Sequence, residues 1–491
     1  MSSHKQNHIL LDLRFRASPI DISERAIAVS NAFGIGIDDQ KEFIIFDRIP
    51  FEYNNYDLIY VTGDSGSGKS TFLKLFRDIE EKRGRKCVSF EDIKLDENCV
   101  VIDSVGKNKE ESMNLLGIVG LSEAFTMLRK FKELSDGQKY RFKLAKVIER
   151  DAEVFFIDEF GANLDRDMAK TLAYSFQKWA RRSGKMLVIA TTHEDLLEDF
   201  NPNVLLGKKF GETTNIQYFQ PTPRMFSLIK QMSIERGTLV DYKALAHFHY
   251  LHGQPAANRF TFKLRYNQEI IGVILYTVSF LNLSLRNKIF PEYKTNAQQP
   301  SHLATKRVNN EILRISRIII HPKFRGVGLA AELIRRTMPL CNVRLVETVA
   351  AMATYNPFFE KAGMVKVGKM EFNKSQKALI DFCQSLGVDS DLLWNREFRK
   401  RFLNSLSASQ MQLLIKILED QAKTLAGISS NRSREFMEKL QQGQIDEILS
   451  KALPVERVYL YWLNPDWQAQ TRTPTQSGQG STDDKSQSKQ L

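Results

Sequence analysis

The sequence predicts an α/β chain in two parts: a parallel sheet with helical crossovers, then a separate α+β region on an antiparallel sheet with a helical insert. Three observations predict it. Between Asp57 and Leu206 apolar runs alternate with amphipathic helical stretches, as a parallel sheet with crossovers requires. In "RFTFKLRY" Phe260, Phe262, Leu264 and Tyr266 alternate with polar residues, and "NQE" turns the chain into a second apolar run, as in a hairpin. Between Lys374 and Ala452 the spacing is helical throughout.

In chain order, "DLIYVTG" reads as a strand entering a glycine turn, and Phe72, Leu75, Phe76 and Ile79 follow at helical spacing. "VFFIDE" from Val154 and "KMLVIATTH" from Lys185 are strands buried on both faces, and the helix between them stops at Gly184. The segment from Phe280 to Asn310, polar and holding Pro291 and Pro300, is expected to be an insertion loop. "RVYLYWL" returns as a strand after Pro454, and the Gln/Ser/Thr-rich tail from Asn464 cannot build a core. The expected segments are 1–219, 220–370, 371–463 (helical insert and closing strand) and a disordered tail, 464–491.

Composition narrows the function classes. No apolar stretch is long enough to cross a bilayer, and the N-terminus lacks an export signal, so a cytoplasmic protein without membrane partners is expected. Cys87, Cys99, Cys341 and Cys383 lie far apart, which argues for reduced thiols. The net charge of +12 favours an anionic partner, nucleic acid being the commonest large one; a basic solvated surface is the alternative. "RKFK" from Arg129, "ARRSGK" from Ala180, "IRR" from Ile334 and "REFRKRF" from Arg396 are the basic clusters, which could form one track or none.

"GDSGSGKST" carries the first chemistry. Gly63, Gly66 and Gly68 let the backbone of Gly63, Asp64, Ser65, Gly66, Ser67, Gly68, Lys69, Ser70 and Thr71 close around phosphate oxygens at a helix start. Lys69 would reach the outer phosphates of ATP, Ser70 and Asp158 would hold Mg2+, and Glu159 would polarise the attacking water. "LSDGQ" from Leu134, "ANLD" ending at Asp165 and His193 stand in the order found in ATP-binding cassette ATPases, which this region resembles. The resemblance implies that Ser135, Gly137 and Gln138 face the ATP of a second subunit while His193 contacts the terminal phosphate in cis, so a homodimer holding two ATP molecules is expected. The family's glutamine loop has no clear glutamine here; Asp103 in "VVIDSVGKN" is the candidate substitute. Phe33 is an upstream aromatic that could stack on adenine or belong to the core, and the core is the expectation.

"ILRISRIIIHPKFRGVGLAAELIRR" carries the second. Arg325, Gly326, Val327, Gly328, Leu329 and Ala330 fit Arg-x-x-Gly-x-Ala, a turn whose amides can bind a pyrophosphate at a helix start. With "LVETVAAMATYNPFFEKAGM" downstream and the hairpin upstream, the stretch from Thr222 to Lys369 resembles the GNAT superfamily of N-acetyltransferases, which implies acetyl-CoA or another acyl-CoA as cofactor. Phe359 stands where that family often has a tyrosine acid; Tyr355 could replace it and Glu347 could serve as base, and either could instead be structural. In "HFHYLHG" His247 and His249 on a strand, or His249 and His252 on a helix, could form a metal pair, with substrate contacts or ordinary hydrogen bonding the favoured reading.

The arrangement resembles a class of ABC-type ATPases fused to a predicted acetyltransferase domain. The function expected is an ATP-hydrolysing N-acyltransferase that modifies a base in DNA or RNA inside an ATP-driven dimer clamp. Two alternatives stand beside it: acylation of a protein or small amine under ATPase control, and a nucleic-acid-binding ATPase switch whose acyltransferase fold only senses CoA.

Overall fold

A computed structural model of the chain describes residues 6–16, 23–34, 42–209, 214–249, 257–294, 301–426, 430–467 and 489–490. The chain divides into two compact units, one comprising Met1–Thr277 and Ile315–Leu340, the other Val278–Arg314 and Cys341–Ala469.

In the first unit, β1 (Asn7–Arg16) and β2 (Glu42–Tyr53) form an antiparallel ribbon. A six-stranded sheet follows, built from β3 (Leu58–Gly63), β4 (Cys87–Ser89), β5 (Val154–Ile157), β6 (Met186–Thr191), β7 (Val204–Lys208) and β8 (Thr214–Tyr218) in the order β4-β5-β6-β3-β7-β8. All its pairings are parallel except β7 with β8. Its strands read as unbroken apolar runs because both faces are covered: Leu58, Tyr60, Phe155 and Ile157 enter one core, Ile59, Val61, Val154 and Phe156 the other. The helix Arg166–Ser183 ends at Gly184 in the left-handed conformation (φ 60).

The unit continues with β9 (Met232–Gly237), β10 (Asn258–Tyr266) and β11 (Glu269–Val278), an antiparallel meander whose last turn is Asn267–Gln268. β12 (Ile312–Ile320) lies beside β11 and leads through Pro322–Phe324 into the helix Leu329–Thr337.

In the second unit the first residues of β12, Ile312–Arg314, pair in parallel with Leu345–Glu347 of β13 (Leu345–Ala350). β14 (Val365–Lys369) and β15 (Val458–Leu463) complete that sheet, β15 lying antiparallel between β13 and β14. Five helices between Lys374 and Ala452 enclose their own core, with Leu379, Leu393, Leu414, Leu418, Ile448 and Leu449 at its centre.

Two expectations are corrected by the fold. The stretch from Phe280 to Asn310 is not a loop: helices span Ser284–Ile289 and Ser301–Glu311, because Phe290, Tyr293 and Val308 pack on Ile312 and Leu345. Phe33 is not in the core; it is 75% exposed at the end of a helix, Glu24–Phe33, that buries no side chain. The four cysteines form no disulfide. Most of the tail expected to be disordered, 468–488, lies outside the described residues. Among the described residues no helix is long and apolar enough to cross a membrane.

Candidate functional site

The phosphate loop owes its shape to three glycines. β3 ends at Gly63 (φ 142), where a Cβ would lie 1.7 Å from the carbonyl oxygen of Lys208 on the adjacent β7. Only glycine fits there. Gly66 (φ 76) and Gly68 (φ 100) adopt backbone conformations that side chains avoid, and Gly68 caps the helix Lys69–Lys82 without any side-chain cap over its first amides.

Lys69 Nζ donates to the carbonyls of Gly63 (2.8 Å) and Asp64 (2.6 Å), holding the loop closed. Burial lowers its pKa below the ordinary lysine value, against the pull of Asp158, then Asp64 and Glu159. The Ser67 hydroxyl is buried with no partner among the described residues. An orphaned hydroxyl in a loop that ends at uncapped helix amides suits a ligand rich in acceptor oxygens, as a triphosphate is. Ser70, in the exposed first turn of that helix, and Asp158, half-buried after β5, are the oxygen donors that could hold Mg2+.

The turn after β5 is strained. Glu159 sits at φ 50, a conformation that costs a side-chain-bearing residue about 1–3 kcal/mol. It is held there because its own amide donates to Asp158 Oδ1 (2.9 Å), Phe160 N donates to the Ala190 carbonyl (2.8 Å), and Gly161 N donates to the Tyr140 hydroxyl (3.1 Å). Glu159 is exposed. His193 follows β6; its amide donates to Thr191 Oγ1 (3.2 Å) and its carbonyl accepts from the Tyr60 hydroxyl. Burial, then the nearby Arg166 guanidinium, lowers the imidazole pKa, so His193 is neutral around pH 7.

Ser135 and Gln138 form a reciprocal cap at the start of the helix Asp136–Ile148: Ser135 Oγ accepts from Gln138 N (3.4 Å) and Gln138 Oε1 accepts from Ser135 N (3.0 Å). A Cβ on Gly137 would press on Leu164 Cδ2 at 3.3 Å, so this turn packs against the segment ending at Asp165. Asp103, the candidate glutamine-loop substitute, stands exposed on a turn.

The second glycine turn is placed differently from expectation in part. Gly328 (φ 97) caps the helix Leu329–Thr337 with no side-chain cap, and a Cβ there would meet nothing within 4 Å. Those uncapped amides and that open space suit a phosphate-bearing ligand. Val327 and Leu329 are buried anchors and Ala330 is half-buried. Arg325, by contrast, turns inward: its guanidinium donates to the carbonyls of Ile320 (2.9 Å) and Phe248 (3.5 Å), and burial lowers its pKa. Gly326 (φ 92) is required by packing, since a Cβ would lie 3.0 Å from Ser175 Oγ and 3.3 Å from the Gly117 carbonyl.

In the second unit Glu347 is not available as a general base. It has 0% exposure, Oε1 accepts from Arg286 Nη1 (3.1 Å) and from the Ser279 hydroxyl, and Oε2 accepts from the Tyr459 hydroxyl (2.9 Å). Both oxygens are engaged, so a proton acceptor for substrate must be sought elsewhere. Sequence reasoning missed this cluster. Tyr355 is half-exposed just before the short helix Phe358–Lys361, while Phe359 is buried.

His247 lies in a single helical turn, Ala246–Phe248, with its ring tilted at 44° against that of Phe248, so the strand that would aim His247 and His249 together is absent among the described residues; His252 lies outside them. Among the described residues no group of three or more His, Cys, Asp or Glu could hold a metal ion. The basic cluster from Arg396 also divides. Lys400 and Arg401 are exposed, whereas Arg399 is 6% exposed and donates to Asp446 (2.7 Å) and the Leu393 carbonyl (2.8 Å).

The ABC transporter family matches residues 46–162, the stretch from β2 past the Asp158–Glu159 turn. The molybdate import ATP-binding protein MolC of Haemophilus influenzae is 27% identical over 234 residues, covering 42% of this chain and 89% of its own length. The cytochrome c biogenesis ATP-binding export protein CcmA of Shewanella oneidensis is 28% identical over 181 residues, covering 32% of this chain and 83% of its own. Among solved structures, a bacterial ABC transporter cassette described as dimeric aligns at TM-score 0.31 and 15% identity, over 37% of this chain and 94% of its own. The phosphate loop, the acidic strand end and the signature turn all lie within the matched residues, with His193 following beyond them: the N-terminal region of the chain is an ATP-hydrolysing ABC ATPase domain.

Proposed function

We propose that the chain couples this ATPase to an acyl-CoA-dependent N-acyltransferase of the GNAT type, working as a homodimer on nucleic acid. The observation that carries the reading is the second glycine turn: Gly328 at φ 97 opens an uncapped helix after β12, with clear space in front of it. β15, supplied by "RVYLYWL", pairs with both β13 and β14, which supports a closing strand of the kind the GNAT resemblance implies.

ATP supplies a cleavable phosphoanhydride, and acyl-CoA supplies an activated acyl group. The chain's own residues divide the work. Lys69 and the loop amides bind phosphate, Ser70 and Asp158 offer oxygens to Mg2+, Glu159 polarises water, and neutral His193 donates or accepts a hydrogen bond at the terminal phosphate. Ser135, Gly137 and Gln138 present an exposed turn to a second copy's nucleotide. Tyr355 is the remaining candidate acid. Because the thioester already carries the energy for acyl transfer, ATP is assigned to conformational work on a large substrate. The charge of +12 supports a polyanion as that substrate.

A second reading is favoured by the relatives named above, which are an import and an export ATP-binding protein, and by two apolar side chains, Phe125 (51% exposed) and Leu128 (70% exposed). In it the ATPase docks on a separate membrane protein. One experiment separates the two: labelled acetyl-CoA is offered to DNA, RNA, protein and free amines, with and without ATP, using the wild type and Gly328→Val. Label on nucleic acid that needs ATP and is lost with Gly328→Val is expected. Label on a free amine regardless of ATP assigns the acceptor to small molecules or protein, and no label with any acceptor removes the acyltransferase reading.

A further inference from the structure

The segment ending at Asp165, which packs against the signature turn, also touches the second glycine turn. Asp165 caps the helix Arg166–Ser183, its Oδ1 accepting from Met168 N (3.1 Å). That carboxylate and Asp167, two residues further on, meet a single cation from elsewhere in the unit: Lys323 Nζ lies 2.8 Å from Asp165 Oδ1 and 3.3 Å from Asp167 Oδ2. Lys323 stands two residues before Arg325. Tyr266, at the end of β10, adds a hydrogen bond to Asp167 Oδ1 (3.3 Å). Burial opposes charge on Lys323, but Asp165 and then Asp167 outweigh it and hold the ammonium pKa above its ordinary value.

A partly exposed ion pair is weak evidence by itself. Here the backbone makes a second contact within the same unit. Gly326 lies so close to the helix Arg166–Ser183 and to the end of the helix Lys109–Ile118 that a side chain would touch Ser175 Oγ and the Gly117 carbonyl. Arg141, on the signature helix, donates to the Gly120 carbonyl (3.0 Å), and Gly120 in turn faces the Arg325 carbonyl. The signature turn, the Asp165 cap and the glycine turn therefore share one packed junction.

That junction is imperfect in a telling way. The Thr171 and Ser175 hydroxyls are buried with no hydrogen-bond partner among the described residues, and both line a crevice, too narrow for a water, that also includes Ile118, Gly120 and Arg325. Buried orphan hydroxyls disfavour the arrangement that holds them.

We propose that Lys323 is a positioning residue that ties the glycine turn Arg325–Gly328 to the Asp165–Asp167 segment, so that ATP binding and the conformation of that turn are thermodynamically linked. What the turn holds, acyl-CoA, rests on the function proposed above; the link does not. By reciprocity, ATP must change the turn's affinity for its ligand by the same factor as that ligand changes the affinity for ATP.

The test uses the full chain carrying Glu159→Gln, so that ATP is held. Hydrogen exchange at the amides of Arg325–Glu332 is measured with and without ATP, and the same is done with Lys323→Met and Lys323→Arg added. ATP is expected to change exchange in that stretch by about fivefold or more, the lower end of typical coupling. Lys323→Met should reduce the response to under about twofold with ATP still bound, and Lys323→Arg should restore it. Calorimetric titration of acetyl-CoA with and without ATP, and of ATP with and without acetyl-CoA, should give one shared factor. An ATP response in exchange without acetyl-CoA binding keeps the link and removes the cofactor reading. Acetyl-CoA binding with exchange indifferent to ATP, or an undiminished response in Lys323→Met, overturns the link. If Lys323→Met does not fold, Asp167→Asn probes the same junction with the same criterion.

Discussion

The Arg286–Glu347 pair offers the sharpest separation between a structural and a chemical role. Both side chains have 0% exposure. Arg286 donates to Glu347 Oε1 (3.1 Å), the Phe280 carbonyl (2.7 Å) and the Leu281 carbonyl (2.6 Å), while Tyr459 and Ser279 complete the carboxylate. Arg286→Met removes the cation and leaves a buried carboxylate and two carbonyls short of donors. Breaking a buried pair from one side costs about 3–5 kcal/mol, equivalent to about 10² to 10³-fold or more in a local opening constant. The double variant Arg286→Met/Glu347→Leu removes the uncompensated charge along with its partner and should recover most of that loss. Native-state hydrogen exchange at the amides of β13 and β15 is the suitable assay, because a chain of two units need not unfold in one step. A loss below about 1 kcal/mol in Arg286→Met, the scale of an exposed pair, would refute the structural reading. So would Glu347→Gln that abolishes acyl transfer while leaving exchange in β13 untouched, since that is how a general base behaves.

Glu159→Gln keeps Lys69 and the loop amides, so ATP binding should persist while hydrolysis slows by about 10²–10⁴-fold, the usual weight of a general base; sedimentation with ATP should then show a dimer, and monomer alone would sink the composite site. Arg399→Met should destabilise the helical core by about 1–2 kcal/mol, read by native-state hydrogen exchange of its helices, because it takes a charged donor from the buried Leu393 carbonyl and from the partly exposed Asp446. Lys400→Ala with Arg401→Ala should leave stability unchanged and flatten the salt dependence of nucleic-acid binding by about one unit for each phosphate that is no longer neutralised; an unaltered slope means that this helix face does not meet phosphate. His193 and His321 both have pKa values lowered by burial first, then by Arg166 for His193 and by Lys323 and Arg325 for His321. The unfolded chain therefore binds protons that the folded chain refuses, and stability should fall as pH drops from the ordinary histidine value of 6.5 toward the lowered folded values; a melting temperature that holds or rises over that window contradicts it.

What could be read from the sequence was what neighbouring residues decide. Gly63, Gly66 and Gly68 are demanded by local backbone shape, Gly184 by a helix end, and the buried strands by runs that satisfy two faces at once. The expectations that failed depended on partners far away in the chain. Whether Glu347 was a base or structural stayed open in the sequence because Arg286, Ser279 and Tyr459 stand 61, 68 and 112 residues from it. Arg286 itself fell in a polar stretch with two prolines, where nothing local announces that an arginine will be wholly buried. Phe33 erred the other way: its apolar side chain suggested a core that its helix does not have.

The same reasoning bears on the two glycines of the second turn, which look alike in sequence and have different jobs. Each has a positive φ, so either could have been assigned to ligand approach. A Cβ on Gly328 would enter open space, which leaves room for a ligand, whereas on Gly326 it would strike Ser175 and Gly117 of the ATPase domain. Gly328→Ala should therefore act through backbone strain and through whatever ligand the turn takes, while Gly326→Ala should also oblige Ser175 Oγ and the Gly117 carbonyl to give by a few tenths of an ångström. If the junction with Asp165 and Asp167 carries information, the second substitution should disturb the response of the turn to ATP, and the first should disturb only what the turn binds. The motif supplies both residues in one short phrase, and only the surface each one faces tells the glycine packed on the helix Arg166–Ser183 from the one that opens onto free space.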